Sequence, residues 1–232
     1  MKKLCFFSLF YLLCFINLFS QNKETVELYL ETTGNEALIL RGERPLSYRF
    51  VYSGTFYEEK EEFEKGDLWY NGLYYPNQLL NLNSHLNELY VKSNDLSKIV
   101  KLKSELIDSA KFGGYKYLNI KETEGHLQPG FYKILHSTSK CSVIKSVKKY
   151  YKEKIDQSSN SGMSVIKYFD PEIKYYFVKG KNVTEIRGRK GLLRLALISR
   201  QDYKKVYNEM GTDIFNVNYD VLYSRLMKYS KL

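Results

Sequence analysis

Residues 66–75 read GDLWYNGLYY, and this stretch places an Asn-Gly pair at positions 71 and 72 between two runs rich in aromatic residues. A two-residue type I′ turn needs a positive φ angle at both central positions, and Asn followed by Gly is the pair that tolerates this best. The stretch therefore predicts an antiparallel hairpin whose aromatic rings form a cross-strand ladder. A functional alternative is a sugar-binding platform, in which an exposed Trp69 or Tyr74 stacks on a sugar ring.

Further short runs of apolar and β-branched residues continue along the chain on both sides of this hairpin. Asn, Ser, Asp or Gly residues bound most of them, which is the spacing of sequential antiparallel strands. The sequence predicts roughly ten strands and a mainly β (α+β) fold: an antiparallel meander, sandwich-like or barrel-like domain. Besides the hairpin, the predicted strands are residues 49–56, 79–82, 88–92, 99–102, 115–120, 130–135, 143–151, 165–169, 175–178 and 183–186.

The first 20 residues have the layout of a secretory signal peptide. Two lysines precede an apolar core of about 16 residues, and a small residue, Ser20, stands where cleavage is expected. A retained membrane anchor is the alternative, but a spanning helix needs about 20 apolar residues. We expect export, with the mature chain in the periplasm, at the outer membrane or outside the cell.

The rest of the chain divides into an N-terminal segment and one domain. In residues 21–48, the alternation of Val26, Leu28 and Leu30 predicts an opening strand, and residues 37–40 predict a second short one. A loosely ordered segment is the alternative. Residues 49–232 are expected to form a single β-rich domain with two or three helices from about residue 190. Ser199 with Asp202 resembles a helix cap. The apolar stripe of the last predicted helix is Phe215, Tyr219, Leu222, Leu226 and Tyr229.

Charge is distributed unevenly along the chain. Residues 21–139 hold 14 Lys and Arg against 17 Asp and Glu, whereas residues 140–232 hold 20 against 9. The basic residues alternate with apolar ones, which is typical of the solvated face of a sheet, although a surface for an anionic partner is the alternative. Within this half, Arg187, Arg189 and Lys190 are candidate anion contacts. Export leaves no role for nucleic acid.

No catalytic or metal-binding motif is present in the sequence. The three histidines have no zinc-motif spacing, and the acidic residues 58–64 lack the spacing of a calcium loop, so they predict a charged loop. After cleavage Cys141 is the only cysteine, and we interpret it as a buried apolar residue. We predict no cofactor. A hydrolase remains an alternative if the fold pairs carboxylates, for instance at Asp67 or Glu88.

Several segments together resemble uncharacterised secreted proteins of Bacteroidota. They are YSGTFY at 52–57, GDLWYNGLYY at 66–75, LNELYV at 86–91, PGFYKIL at 129–135 and RGRKGLLRLAL at 187–197, and the signal peptide is similar to those of flavobacteria-like bacteria. The resemblance implies an envelope location and no assigned activity. We therefore expect a non-enzymatic binding or structural protein that contacts an envelope protein or glycan, with peripheral contact to the outer membrane. An accessory subunit of an outer-membrane complex is the alternative.

Overall fold

Ten antiparallel strands form one sheet in the computed structural model, which describes residues 23–33, 38–93, 97–123, 125–156, 164–188, 190–211 and 217–231. Helices are few and mostly C-terminal, so the predicted mainly β fold with α-helices is confirmed. The predicted signal peptide lies outside the described residues. The strands are β1 Glu64–Tyr70, β2 Leu73–Asn83, β3 Glu88–Lys92, β4 Ile99–Lys101, β5 Ile107–Phe112, β6 Tyr115–Ile120, β7 Gly130–Ser137, β8 Ser142–Asp156, β9 Ser164–Lys179 and β10 Asn182–Glu185.

The strand order is β10-β9-β8-β7-β6-β5-β1-β2-β3-β4. Strands β1 to β4 form one meander and β5 to β10 form a second, and the two are joined where β1 pairs with β5. The central strand β5 was missed by the sequence analysis, because IDSAKF mixes small and charged residues with apolar ones. Its Ser109 and Ala110 are nevertheless buried beneath neighbouring elements.

The hairpin at Asn71-Gly72 is confirmed. The φ angles are 53° at Asn71 and 73° at Gly72, and Tyr70 pairs with Leu73 directly across the turn. Trp69 and Tyr74 are cross-strand partners whose ring centroids lie 5.0 Å apart. The interpretation of the aromatic residues as a cross-strand ladder therefore holds for this pair.

The predicted strands in residues 21–48 are wrong. Residues Lys23–Thr33 form helix α1 and Leu38–Leu40 form a 3₁₀ turn. The hydroxyl groups of Thr32 and Thr33 donate to backbone oxygens four residues earlier, at 2.7 and 2.6 Å, which suits a helix. Tyr29 packs against the core of the first meander, and the 3₁₀ turn buries Ile39 and Leu40 there, so tertiary packing outweighs the alternation in the sequence.

The predicted strand at residues 49–56 is also wrong. This segment is irregular and meets the sheet through a bridge between Ser53 and Tyr168. Three of its eight residues are aromatic. Packing of their rings holds the segment against the sheet, where a continuous hydrogen-bonded ladder was expected. Phe50 contacts Tyr151 at 5.1 Å, and Tyr52 contacts Phe169 at 5.2 Å.

The sheet is strongly rolled. Five ladder steps separate β8 from β2 in the strand order, which is about 24 Å along a flat sheet. Yet the backbone N–H of Lys149 in β8 donates to the backbone oxygen of Ser84, just after β2, at 3.0 Å. The rolling brings distant strands together around the inner face.

Three C-terminal helices cover one end of the inner face: α2 Gly191–Leu195, α3 Arg200–Glu209 and α4 Tyr219–Met227. Ser199 caps α3 as predicted, because its hydroxyl accepts from the N–H of Asp202 at 3.0 Å. Helix α4 buries Leu222 and Leu226 in a core shared with Val143 and Phe177 of the sheet. The last helix therefore docks on the protein's own sheet, while Phe215 lies outside the described residues.

Candidate functional site: an aromatic cleft beside an irregular strap

Residues 41–63, which we call the strap, cross the inner face without regular secondary structure. Bridges connect Glu43 to Lys101 in β4, Tyr57 to Asn83 in β2, and Ser53 to Tyr168 in β9. The strap therefore touches strands from both ends of the strand order. The position of the strap on the rolled sheet creates a cleft. Two lysines of the sheet hold the strap in this position.

The first of these lysines is Lys133 in β7, whose side chain is only 1% exposed. Its ammonium group pairs with Glu58 at 3.2 Å and contacts Glu59, and the hydroxyl of Tyr117 donates to Glu58 at 2.6 Å. We call these four residues the Lys133 clasp. Burial works against the ammonium charge, but the two carboxylates outweigh it and raise the pKa of Lys133.

The clasp was missed by the sequence analysis, which predicted only a charged loop at residues 58–64. The structure places the Glu58 side chain inside the protein, 6% exposed. Its partner Lys133 is distant in the sequence, in a run, GFYKILHS, that otherwise reads as an ordinary strand. An isolated lysine among apolar strand residues is the one signal that pointed to a buried ion pair.

The second lysine is Lys149 in β8. Its ammonium group donates to the backbone oxygens of Thr55, at 2.9 Å, and of Tyr57. Burial lowers the pKa of Lys149, and the carboxylates of Glu58 and Glu59 partly oppose this. Both acceptors are backbone atoms of the strap. Lys149 therefore fixes the path of the strap backbone independently of which side chains the strap carries.

The cleft lies between strap residues 42–57 and strands β3 and β4, with a volume of about 670 Å³. One wall carries strap side chains, and the other carries Tyr90 and Lys92, which share a face of β3 because they are two residues apart. Burial raises the pKa of Tyr57 to about 12, so its hydroxyl stays protonated. The aromatic lining of the cleft is Tyr48, Tyr52, Phe56, Tyr57 and Tyr90, and its exposed cations are Arg44 and Lys98.

The aromatic rings of the cleft pack against one another and against the sheet. The ring of Tyr48 lies 4.8 Å from that of Phe56 and 5.2 Å from that of Phe169 in β9. Tyr52 contacts both Phe56 and Phe169, at 5.9 and 5.2 Å. This edge-to-face packing fixes the ring orientations, so the cleft wall is preorganised.

The site residues expected from the sequence lie elsewhere. Trp69 and Tyr74 are half-buried on the β1–β2 hairpin, outside the cleft lining, and the Lys116 ammonium lies 5.6 Å from the Trp69 ring centroid. Arg187 and Lys190 are exposed and line a different cavity near α2. Arg189 lies outside the described residues.

The two carboxylates named from the sequence as candidates for catalysis both make contacts within the fold. Glu88 accepts from the Tyr90 hydroxyl at 2.8 Å and pairs with Lys101 at 3.4 Å. Asp67 accepts from the Asn77 backbone at 3.4 Å on the hairpin. Cys141 is buried. Within the described ranges, no three His, Cys, Asp or Glu side chains come together in a group that could hold a metal ion.

Among the helices of the described residues, none is long and apolar enough to cross a membrane. No protein-family model, curated protein or solved structure matches this chain. Function is therefore inferred from the geometry of the molecule itself.

Proposed function

We propose that this protein is an exported, non-enzymatic binding protein of the cell envelope, and that its aromatic cleft binds a glycan. The observation that carries the proposal is the cleft itself, a preorganised aromatic wall with two exposed cations at its edge. Its volume of about 670 Å³ is in the usual range for small-ligand sites.

The chemistry of the lining suits a sugar. Aromatic ring faces provide apolar contact for the C–H groups of a sugar ring, and tyrosine hydroxyls add hydrogen-bond donors at their edge. Tyrosine hydroxyls are protonated near neutral pH, and burial raises the pKa of Tyr57 further, to about 12. Arg44 and Lys98 would favour a sugar that carries a carboxylate or phosphate.

Binding is preferred over hydrolysis because of the state of the nearby carboxylates. A glycosidase generally needs two carboxyl groups, between about 5 and 10 Å apart, on either side of the scissile bond. Two carboxylates in this part of the fold, Glu88 and Glu58, are each held by a lysine and a tyrosine. Carboxylates held in this way support a binding role. Hydrolysis is the alternative that the experiment must distinguish from binding.

Binding to an array of bacterial envelope oligosaccharides, followed by calorimetry with the best ligand, tests the proposal. Tyr52→Ala in the cleft should weaken binding by tenfold or more, on the order of 1.4 kcal/mol. Tyr74→Ala, a matched change on the hairpin, should leave affinity unchanged. If Tyr74→Ala weakened binding and Tyr52→Ala did not, the glycan site would be at Trp69 and Tyr74. If the protein released new reducing ends from the glycan, it would be a hydrolase.

Export is tested separately, by N-terminal sequencing of the mature protein. The expected first residue is Gln21. A lipid-bearing N-terminus at Cys14 would contradict this cleavage site.

An accessory role in an outer-membrane complex is the second candidate. It is favoured by exposed apolar residues at the far end of the β8–β9 ribbon, where Ile155 and Val165 are cross-strand partners and both are more than half exposed. Affinity capture of the tagged protein from native envelopes should recover a stable partner if this role is correct. Ile155→Ser with Val165→Ser should then abolish recovery and leave glycan binding intact.

A further inference from the structure

A groove on the outer face of the sheet stands apart from the cleft. Three adjoining cavities form it, with volumes of about 290, 520 and 410 Å³. The first two share Lys174 and Tyr176, and the last two share Arg187. Its part on β8 and β9 lies on the face opposite the strap, because Lys148 alternates along β8 with Lys149, which binds the strap. Its third cavity lies at the start of α2, which supplies Arg194.

The cations of this groove follow neighbouring strands. Lys174 of β9 is the cross-strand partner of Ser146, and Lys148 pairs in register with Glu172. Beyond β10, the N–H of Ile186 donates to the Tyr175 oxygen at 2.8 Å, so the chain stays beside β9 and carries Arg187 towards Lys174. Adjacent strands are about 4.8 Å apart, which spaces these positive groups regularly across the sheet.

Cations outnumber carboxylates in the groove. Among its described lining residues, the carboxylates are Glu172, paired with Lys174 at 3.0 Å, and Glu185, paired with Arg187 at 3.3 Å. Lys148, Lys190 and Arg194 make no ion pair within the part of the chain that the structure describes. The cationic side chains are Lys148, Lys174, Arg187, Lys190 and Arg194, with His126 beside them.

A buried hydroxyl group marks the other end of the groove. Ser84 is 3% exposed and lines the first cavity. Its side-chain oxygen has no hydrogen-bond partner among the described residues. Buried polar groups are rarely left unsatisfied, and each one without a partner costs stability, so a polar group that reaches this hydroxyl from the first cavity would gain a hydrogen bond.

We propose that this basic groove binds a linear acidic polysaccharide that carries carboxylates on successive sugar units. The elongated row of cations matches a chain of repeated negative charges. Single-stranded nucleic acid fits less well, because it is held by stacking successive bases on exposed aromatic rings. Here Tyr132 and Tyr176 are 3% and 8% exposed, and Tyr150, at 40%, is the groove tyrosine that is open to solvent. The site does not depend on the ligand of the cleft.

Calorimetric titration of the full-length mature protein with oligogalacturonate tests this inference. The matched control ligand is the fully methyl-esterified form, which has the same sugar chain without the charges. Oligogalacturonate should bind, the ester should not, and raising the salt concentration should weaken binding because charge attraction is screened. Equal binding of the ester would overturn the proposal, as would tighter binding of a single-stranded oligothymidylate.

Variants then locate the site. Lys190→Glu with Arg194→Glu should lower the affinity for oligogalacturonate by about tenfold or more, since two attractions become repulsions. Lys111→Glu with Lys140→Glu makes the same change in net charge at exposed positions outside the groove, and should have a much smaller effect. If both double variants lost the same affinity, the effect would be due to net charge alone. That result would refute binding in the groove. Unchanged thermal unfolding confirms that each variant is folded.

The Ser84 hydroxyl provides a second, uncharged test. Ser84→Ala should lower the affinity for oligogalacturonate several-fold without lowering thermal stability, because the lost hydroxyl has no partner within the protein. A variant that is less stable and binds as well as the parent would show that the hydroxyl serves the fold and contradict its part in the site.

Discussion

Replacing Lys133 by Met removes the positive charge that holds the strap to the sheet. The Lys133 side chain is 1% exposed and its partner Glu58 is 6% exposed, so the change leaves a carboxylate buried without its cation. Breaking a buried ion pair in this way costs about 3–5 kcal/mol. We expect Lys133→Met to lower the free energy of unfolding by that amount, as measured by urea denaturation with an unchanged slope.

The control is Lys101→Met, which removes another strap contact at the surface. Lys101 pairs with Glu43 and Glu88, whose side chains are 72% and 24% exposed, and pairs that remain open to solvent are worth at most about 1 kcal/mol each. Adding Glu58→Gln to Lys133→Met should recover part of the loss, because the buried negative charge is then gone. The coupling between the two changes isolates the pair.

The reasoning is refuted if Lys133→Met costs no more than Lys101→Met. It is also refuted if Glu58→Gln and Lys133→Met have additive effects, since groups in contact should couple. Glycan binding provides a second readout: a loosened strap should weaken binding in the cleft, whereas oligogalacturonate binding on the outer face should not change.

Three further predictions concern the hairpin, the last helix and acid stability. At Gly72 the φ angle is 73° and an added side chain would meet no atom within 4 Å, so Gly72→Val should cost about 1–2 kcal/mol from backbone strain alone; thermal unfolding unchanged from the parent would contradict the turn. Truncation after Gly211 removes α4 and uncovers Val143 and Phe177. The truncated protein should therefore aggregate, as measured by size-exclusion chromatography. A soluble fragment that melts cooperatively would show that the sheet folds without the last helix. Burial, with the nearby Lys228 charge, lowers the pKa of His136 below its ordinary value of 6.5. His136 therefore takes up a proton more readily in the unfolded protein than in the folded one. The free energy of unfolding should fall as the pH drops below 6.5. His136→Gln should remove that part of the pH dependence in urea titrations, and an identical pH profile would contradict it.

Local signals in the sequence were reliable where neighbouring residues determine the structure. The Asn71-Gly72 turn depends on two φ angles, and the cap of α3 depends on Ser199 and Asp202, so each could be predicted from a few adjacent residues. Helix α1 could not, because Val26, Leu28 and Leu30 alternate as in a strand. Tertiary packing of Tyr29 against the first meander favours the helix.

The candidate sites depend on residues that are far apart in the sequence. Glu58 meets Lys133, and the carbonyl groups of Thr55 and Tyr57 meet Lys149, only because the sheet rolls. The sequence analysis therefore interpreted residues 49–56 as a strand and the acidic run after them as a charged loop. The sequence offered Arg187 and Lys190 as candidate anion contacts, and this stays a prediction. Lys148 and Lys174, on separate strands, join the proposed groove only through the register of β8 and β9.

The division of the sheet into two meanders has a consequence for how the chain folds. Within each meander every strand pairs with its neighbour in the chain, and such short loops close quickly. The strap is synthesised before both meanders, yet Lys133 and Lys149, which hold it, belong to the second. Its aromatic residues must therefore stay uncovered until β8 has emerged and paired. We expect seating of the strap to be the last step of folding, and a chaperone that shields aromatic segments to increase the yield of the native protein.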